Sequence, residues 1–592
     1  MPYHNKYLPD IAFGVQDLGG AANHYDNYYC VIDKQYKFIR ASLGYGSSNS
    51  TTKRMDGIFG GVELQATPWL YLMAENDTKE NHLGLKVDIP KSYRKYFNLQ
   101  GLLSYNLEQK ETSIGVTLDI PLKHSSEKIT QKYYQKKIKQ EKTLYDSTLG
   151  NDEPFKQYIE KNEPDLTKNW KLELKNDDIT STKQLQDALD KFGFENVSIA
   201  TKDETIYIKA ENSIFDHNDL DAIGYILGKL AFSKLNYKNF TLILLKNNLQ
   251  TIAISGKTKD IKDYYSDASI SNESKLKNSL SFSRDFDTDG LNFSKKSHSS
   301  FFIPRVEFSL VLPSKVGTEY GVFDYVAMLK TNLYMNIYDG AYLSLRYDTP
   351  FAWSDDYKEG KRFSKDVFHK NNLVNVLYNQ TFHTKNILST FSIGRYQLYF
   401  NAILNHTNYT STSGEHSIDF KGGILKSKDD NLNIEDIEYY YGSYRYNYAP
   451  LDLYAEITYG KYFFGDTGTK FEIKRFFGET SFSFYYTNTV LNGADEEKVG
   501  AAISFPITTR KLYRAKYFQI KGRKDWSYGL NTTINREDGT NMLNEKNAVL
   551  PTTDLKLKTQ YLNRDRLSSG YITNHLDRLR ESYITYTKDK NE

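Results

Sequence analysis

LDLYAEITYGKYFFGDTGTKFEIKRFF (residues 451–477) sets how the rest of the chain is read. In its first part, LDLYAEITY (451–459), Leu451, Leu453, Ala455, Ile457 and Tyr459 alternate with Asp452, Tyr454, Glu456 and Thr458. A period of two places the two sets on opposite faces of a β-strand. SFSFYYT (481–487) repeats the design, with Phe482, Phe484 and Tyr486 against Ser481, Ser483 and Tyr485. Outward from there, residues 301–535 accommodate about twelve or thirteen such strands. Asp339-Gly340 falls between two of them as a type I′ hairpin turn. Residues 9–121 hold about eight more. Among these, SIGVTLDI (113–120) sets Ile114, Val116, Leu118 and Ile120 against Ser113, Gly115, Thr117 and Asp119. Residues 83–89 set Leu83, Leu85, Val87 and Ile89 against Gly84, Lys86 and Asp88.

Between the two blocks the pattern changes. SSEKITQKYYQKKIKQEKTLYDS is charged and poor in β-formers, and reads as a solvated helix or linker. Its basic stretch 128–142 suits a solvated face better than an anionic partner. STKQLQDALDKFGF (181–194) predicts a helix capped by Ser181 or Thr182 and stopped at Gly193. NVSIA and TIYIKAE follow as strands. NDLDAIGYILGKLAFSK (218–234) predicts a helix with Asn218 as N-cap and a buried stripe of Leu220, Ile223, Leu227 and Leu230. FTLILLKNNLQTIAIS (240–255) reads as two strands around an Asn-Asn turn. These elements make a small soluble α/β domain. Residues 266–300 read as a linker, and 552–586 as a helical pattern. The division is a strand block over 1–122, an α/β domain with linkers over 123–295, a second strand block over 296–535 and a tail with a short helix over 536–592.

Composition narrows the class. Of 592 residues 39% are hydrophobic, yet 15% are aromatic, with 49 Tyr and 33 Phe. Disordered chains are poor in aromatics; Tyr and Phe suit pleated surfaces, and Tyr also membrane–water interfaces. The 77 basic and 74 acidic residues leave a net charge of +3, which argues against a nucleic-acid binder. Cys30 is the single cysteine, so neither a disulfide framework nor a cysteine metal site forms within one chain. No stretch approaches the ~18 apolar residues of a transmembrane helix. A membrane-spanning form must therefore be a closed barrel, whose strands satisfy one another's backbone groups.

Alternation alone leaves a membrane barrel and a soluble sandwich both open. The blocks share an ending, LDIPL (118–122) and ISFPI (503–507), where Pro takes a last strand out of its ladder. YLPDIAFGVQDLGG (7–20) followed by GGVELQATPWLYLMAEND (60–77) resembles the start of the YjbH family of Gram-negative exopolysaccharide-associated outer-membrane proteins. GKYFFGDTG (460–468), followed by VGAAISFPI, looks like that family's second-barrel pattern, G-[KR]-Y-x-x-G-D-x-G. DALDKFGFENVSI and the helix–strand unit 218–255 are similar to its middle domain. The resemblance implies a mainly β protein, with two antiparallel outer-membrane β-barrels joined by a small periplasmic α/β domain. It also implies a role in secretion or assembly of an extracellular polysaccharide. Outer-membrane lipid, polysaccharide and periplasmic export or assembly proteins are the implied partners. No catalytic residue, cofactor or metal comes with the family. The alternatives from other classes are a general outer-membrane channel and a glycan-modifying enzyme.

GDTGTK (465–470) lacks the spacing of a phosphate loop and reads as a strand-end turn shaped by Asp466 and Gly468. The 11 histidines show no metal-binding spacing; His406 and His416 read as solvated loop residues. No G-x-S-x-G elbow exists. Arg395, Glu456, Lys461, Asp466 and Arg475 are the candidate lumen or glycan-contacting residues. The competing assignment for them is a charge network that braces the lumen. Trp69, Trp353 and Trp526 suit interface anchoring over sugar stacking.

Six residues precede the YLPDIA-like segment, where the family carries a signal peptide and further sequence. An upstream segment is therefore expected. An in-frame coding extension before Met1 meets that expectation; a stop codon directly before Met1 with no alternative start contradicts it.

Overall fold

The computed structural model describes residues 9–16, 27–36, 38–48, 53–67, 69–88, 98–119, 174, 176–318, 321–363, 370–428, 435–536 and 556–588. The ends of both LDIPL and SIGVTLDI, Ile89, the charged stretch 128–142 and residues 537–555 lie outside them. Among the described residues no helix is long and apolar enough to cross a membrane. The chain divides into two compact units, one built mainly on residues 9–119 and one mainly on residues from 174 onward.

The first unit is one eight-stranded antiparallel meander. Its strands are β1 (Asp10–Gln16), β2 (Asn27–Tyr36), β3 (Ile39–Ser47), β4 (Gly57–Thr67), β5 (Leu70–Asn76), β6 (Asn81–Asp88), β7 (Asn98–Asn106) and β8 (Thr112–Asp119), paired strictly in order. The expected alternation is present with its apolar set exposed: Phe13, Leu43, Ile58 and Leu83 all face out. The opposite face is polar. There Asp33 accepts from Arg40 (2.9 Å) and Ser42 (2.6 Å), and Lys86 pairs with Glu63.

The second unit opens with the α/β domain. Helix α1 (Thr182–Phe192) begins in a full capping box, Ser181 with Gln184, and ends at Gly193 with φ of 124°, the chemistry its sequence predicts. Strands β9 (Glu195–Lys202) and β10 (Thr205–Glu211) precede α2 (Asp219–Ala231), whose Asn218 cap accepts from Leu220 N. Then come β11 (Asn239–Lys246), β12 (Leu249–Lys257), α3 (Thr258–Ser266), α4 (Ile270–Ser279) and β13 (Ser281–Ser283). The five strands order as β13-β12-β11-β10-β9, with β10 and β11 parallel across the α2 crossover. The Asn247-Asn248 turn has positive φ at both residues, as a tight hairpin requires. The expected linker 266–300 instead carries α4 and β13. Helix α4 buries Leu276 against the core, and so weak an apolar stripe leaves little periodicity to read.

The large sheet follows. Its strands are β14 (Arg305–Val311), β15 (Ser314–Thr318), β16 (Gly321–Tyr338), β17 (Ala341–Trp353), β18 (Asn372–Thr384), β19 (Ile387–Tyr396), β20 (Phe400–Thr410), β21 (His416–Ser427), β22 (Ile437–Tyr448), β23 (Leu453–Lys461), β24 (Thr467–Phe477), β25 (Thr480–Leu491), β26 (Ala494–Phe505), β27 (Gln519–Gly522) and β28 (Trp526–Arg536). From β16 to β26 each strand pairs with the next in sequence; β14 and β15 both pair with β16. Consecutive β27 and β28 pair with opposite ends of this ladder, β27 with β14 in parallel and β28 with β26. Trp526 Nε1 donates to the Leu310 carbonyl (2.5 Å), and Ser314 Oγ meets Tyr528 OH (2.7 Å). The two ends of the ladder thus meet across one short piece of chain. The Asp339-Gly340 turn is where the sequence puts it. Gly340 alone of the pair has positive φ, 73°, so it is not type I′. It is shaped by docking on the Asn247-Asn248 hairpin, with Gly340 N donating to Asn247 O (3.0 Å).

The chain ends in α5 (Leu557–Tyr561), α6 (Ser569–Asn574) and α7 (Leu576–Lys588). Helix α2 is buried on all sides because α7 covers the face that the sheet leaves open. Two glycines permit the approach. A Cβ on Gly224 would lie 2.2 Å from the Leu579 carbonyl oxygen, and one on Gly228 2.2 Å from the Tyr583 ring. Gly224→Val should therefore push α7 off α2 at a cost of ~1–3 kcal/mol. Hydrogen exchange over 576–588 should accelerate; unchanged protection would show that α7 is held elsewhere.

Candidate functional site

The large sheet has an apolar exposed face and a buried face that is polar outside one cluster of Leu377, Leu404, Leu425, Tyr439 and Tyr441. In β22, Tyr440, Tyr444, Tyr446 and Tyr448 are exposed while Ser443, Arg445 and Asn447 are buried. In β25, Phe482, Phe484 and Tyr486 are exposed while Ser481, Ser483, Thr487 and Thr489 are buried. Cross-strand partners share a face, so the register carries the polar set across the sheet: Asn408 opposes Asp419, which opposes Ser443, which opposes Thr458. Ser443 and Thr458 bond through their hydroxyls (2.8 Å), and Asn408 donates to Asp419 (3.2 Å). Buried polar groups need such partners.

Behind this face lies a cavity of about 300 Å³, lined by strand residues from β19 to β28 and by residues 556–559, 564 and 565. The C-terminal segment brings counter-charges to the sheet. Lys558 pairs with Asp419 and lies 3.6 Å from Glu456 and 3.2 Å from Asp565. Arg445 pairs with Asp565 and reaches Glu456 at 4.0 Å. Thr559 donates to Asp525 (3.1 Å), beside which Lys556 lies at 3.4 Å. Leu557, Tyr561 and Leu562 pack with Leu388 of the sheet and Leu249 of the α/β domain.

Further along the segment a second charge cluster ties three parts together. Glu479, in the turn between β24 and β25, takes Arg566 (2.6 Å), Arg578 and Asn218 (2.9 Å). Arg578 also forms two bonds with Asp221 of α2 (2.9 and 2.7 Å), and Arg510 forms two more (3.1 and 2.8 Å). Burial alone would raise the Asp221 carboxyl, but Arg578 and Arg510 outweigh it and hold it below the usual range. Glu479 is half-buried, and Arg566, Arg578 and Arg564 outweigh the effect of its burial and hold it well below the usual range.

The five sequence-selected residues separate. Glu456 points to the buried face beside Arg445 and Lys558. Asp466 is buried in the β23–β24 turn, where its carbonyl accepts from Tyr462 N (2.7 Å); the turn assignment of GDTGTK holds for Gly465 and Asp466, whereas Gly468 already lies in β24, paired with Gly460. Arg395, Lys461 and Arg475 lie on the other face, in step with Ile393, Tyr459 and Ile473. Arg395 bonds the Leu398 carbonyl (3.1 Å), and Arg475 stacks on Phe477 (4.6 Å). His406 is not a loop residue: it sits in β20, half-buried, and bonds Asp419 (2.8 Å). His416 begins β21 and is exposed. Sequence reasoning missed Asp419, Lys421, Arg445, Glu472, Glu479 and Lys558. Strand parity marks four of them, since Asp419 and Lys421 alternate with Ile418 and Phe420, Arg445 with Tyr444, and Glu472 with Ile473. In the first unit Asp77, Glu80 and His82 converge, but Glu80 is engaged by Arg54 and by Asn106 (2.8 Å), so the group reads as an ion-pair cluster.

Removing one member of a buried pair leaves the other charge uncompensated, at ~3–5 kcal/mol. Glu479→Gln should therefore lower the unfolding midpoint of the second unit; a midpoint within error of the parent's would contradict the role given to Glu479. Both carboxyls are depressed, so their stabilisation is complete above the unfolded-state values near 4 and is lost as pH falls through the lower folded-state values. Hydrogen-exchange protection of α7 should hold from pH 7 to about 4 and decline below it. Release at pH 5–6 would contradict this.

No curated protein matches the chain. Among solved structures, the P pilus usher (PapC) translocation pore aligns over 86% of each chain at 8% identity, with a TM-score of 0.15, a likeness too slight to carry argument. A family model, described as exopolysaccharide biosynthesis protein YbjH, matches residues 3–514. The match takes in the first strand block, the α/β domain and the second block through β26, and the chain belongs to the YjbH family.

Proposed function

We propose that this chain is a non-enzymatic outer-membrane component for secretion or assembly of an exopolysaccharide. In this reading both strand blocks close into barrels and the α/β domain stands in the periplasm. One observation carries it: the large sheet exposes Ile403, Phe420, Tyr459 and Phe484 while burying Asn408, Asp419 and Thr489. A soluble sandwich requires the reverse, and a continuous exposed apolar band exceeds what soluble monomers tolerate. Lipid outside and polar groups inside is the barrel arrangement. The meeting of the ladder's two ends at β27–β28 supports closure, since closure removes the sheet edges.

Orientation follows from the turns. The turns at 339–340, 411–415, 449–452 and 478–479 bond the α/β domain or the C-terminal segment: Asp339 takes Asn248 (2.5 Å) and Asp452 takes His575 (3.0 Å). The longest connection, 354–371, leaves the opposite ends of the strands. Short turns are periplasmic in such barrels and long loops extracellular, which supports a periplasmic α/β domain. The C-terminal segment in the cavity speaks against an open diffusion channel. His406 and Asp419 form no catalytic site in this reading, because Asp419 is also engaged by Lys558.

Deleting the gene should lower extracellular polymer while precursors inside the cell persist, and the protein should fractionate with outer membrane. Unchanged secretion would reject the reading. Lysine at outward Ile403 or Phe484 should impair assembly into bilayers by ~2–4 kcal/mol, whereas lysine at exposed Asn492, in a turn, should not.

A further inference from the structure

We propose that the cavity behind the large sheet binds the anionic group of an acidic sugar residue, so that the exported polymer is a charged one. The inference rests on the exopolysaccharide reading and adds the chemical class of the polymer.

Charge in the cavity is unbalanced. The cavity lining holds five cations, Lys421, Lys474, Lys556, Lys558 and Arg564, against two carboxylates, Asp525 and Asp565. The carboxylates in and beside the lining do not restore neutrality, because they are shared. Glu472 serves both Lys470 (2.8 Å) and Lys474 (3.1 Å). Asp525 serves both Arg523 (2.7 Å) and Lys556 (3.4 Å). Asp419, Glu456 and Asp565 together neutralise Lys558 and Arg445. Lys421 has no carboxylate within 4.0 Å among the described residues; its ammonium lies 5.8 Å from the Tyr441 ring centre. A positive surplus therefore centres on Lys474 and Lys556, and Lys421 lines the same cavity. In a cavity walled by protein such a surplus is felt strongly, and an anion relieves it.

The remaining lining selects the kind of anion. Ser392, Ser481 and Ser483 present hydroxyls, and Tyr439 and Phe476 present rings. Hydroxyls that donate and accept, an aromatic wall and a fixed cation together match a sugar ring bearing a carboxylate. A cavity of about 300 Å³ is at the small end for ligand sites, which fits one or a few sugar units and not a folded partner.

The test uses the full chain purified in detergent. Calorimetric titration with galacturonate di- to tetramers is compared with maltose and maltotetraose of matching length, and with inorganic phosphate. The galacturonates should bind at least about tenfold tighter than the neutral sugars, and weaken as salt is raised. Lys421→Gln should cost about tenfold in galacturonate affinity; Lys426→Gln, on the exposed face beside Asp436, should leave it unchanged. Lys474→Gln gives a second reading where Lys421→Gln fails to fold, as judged by circular dichroism. Equal affinity for acidic and neutral sugars overturns the proposal, as does phosphate binding as tight as galacturonate, or full affinity in folded Lys421→Gln and Lys474→Gln. These failures leave outer-membrane fractionation and polymer loss on gene deletion untouched, so they are separable from failure of the export reading.

Discussion

Backbone pairing in a sheet sends successive side chains to opposite faces, and in this protein the face that is buried is the polar one. That inversion governs the rest of the structure. Apolar side chains facing outward leave the sheet's interior only local apolar clusters, such as Leu377, Leu404, Leu425 and Tyr441, so the rest of the interior must be held by hydrogen bonds and ion pairs. The strands supply part of these themselves, through pairs such as Ser443 with Thr458 and Lys470 with Glu472. They leave other charges, among them Asp419, Arg445 and Glu456, for which the C-terminal segment brings Lys558 and Asp565. The segment is thus a structural part of the sheet's interior.

The same segment joins the large sheet to the α/β domain. After Asp565 it passes Arg566 and Arg578 to Glu479, and Arg578 continues to Asp221 on α2. From there α7 lies against Gly224 and Gly228 and completes the α/β core with Leu579 and Tyr583. A carboxylate bonded to several guanidinium groups is costly to break and gains little over an apolar core. Its use at this junction fits a place where three elements must meet in one arrangement.

Much of the fold was legible in the residues. The alternation of Leu453, Ala455, Ile457 and Tyr459, the Ser181 and Asn218 caps, and the Asn247-Asn248 turn all act locally, within reach of a few residues. The site was less legible. Arg395, Lys461 and Arg475 were selected for being charged within strands, but each stands in the outward register of its own strand. Glu456 stands in the inward one. Parity against the apolar neighbours, applied residue by residue, separates them and brings forward Asp419 and Arg445. What no local pattern holds is the pairing of 556–578 with turns and strands about a hundred residues earlier in the chain. The spacing of Gly224 and Gly228 was a hint that a second helix approaches α2, but it does not say which.

The inverted sheet is tested most directly by site-directed spin labelling in reconstituted bilayers. Single cysteines replace Ile403, Phe420 and Phe484 on one face, and Ser392, Thr458 and Thr487 on the other, in a chain whose Cys30 is replaced by serine. Labels at the first three should be relaxed by oxygen dissolved in lipid and shielded from a water-soluble nickel complex, and labels at the second three should not show this lipid signature. Water-exposed labels at Ile403, Phe420 and Phe484 would contradict the account.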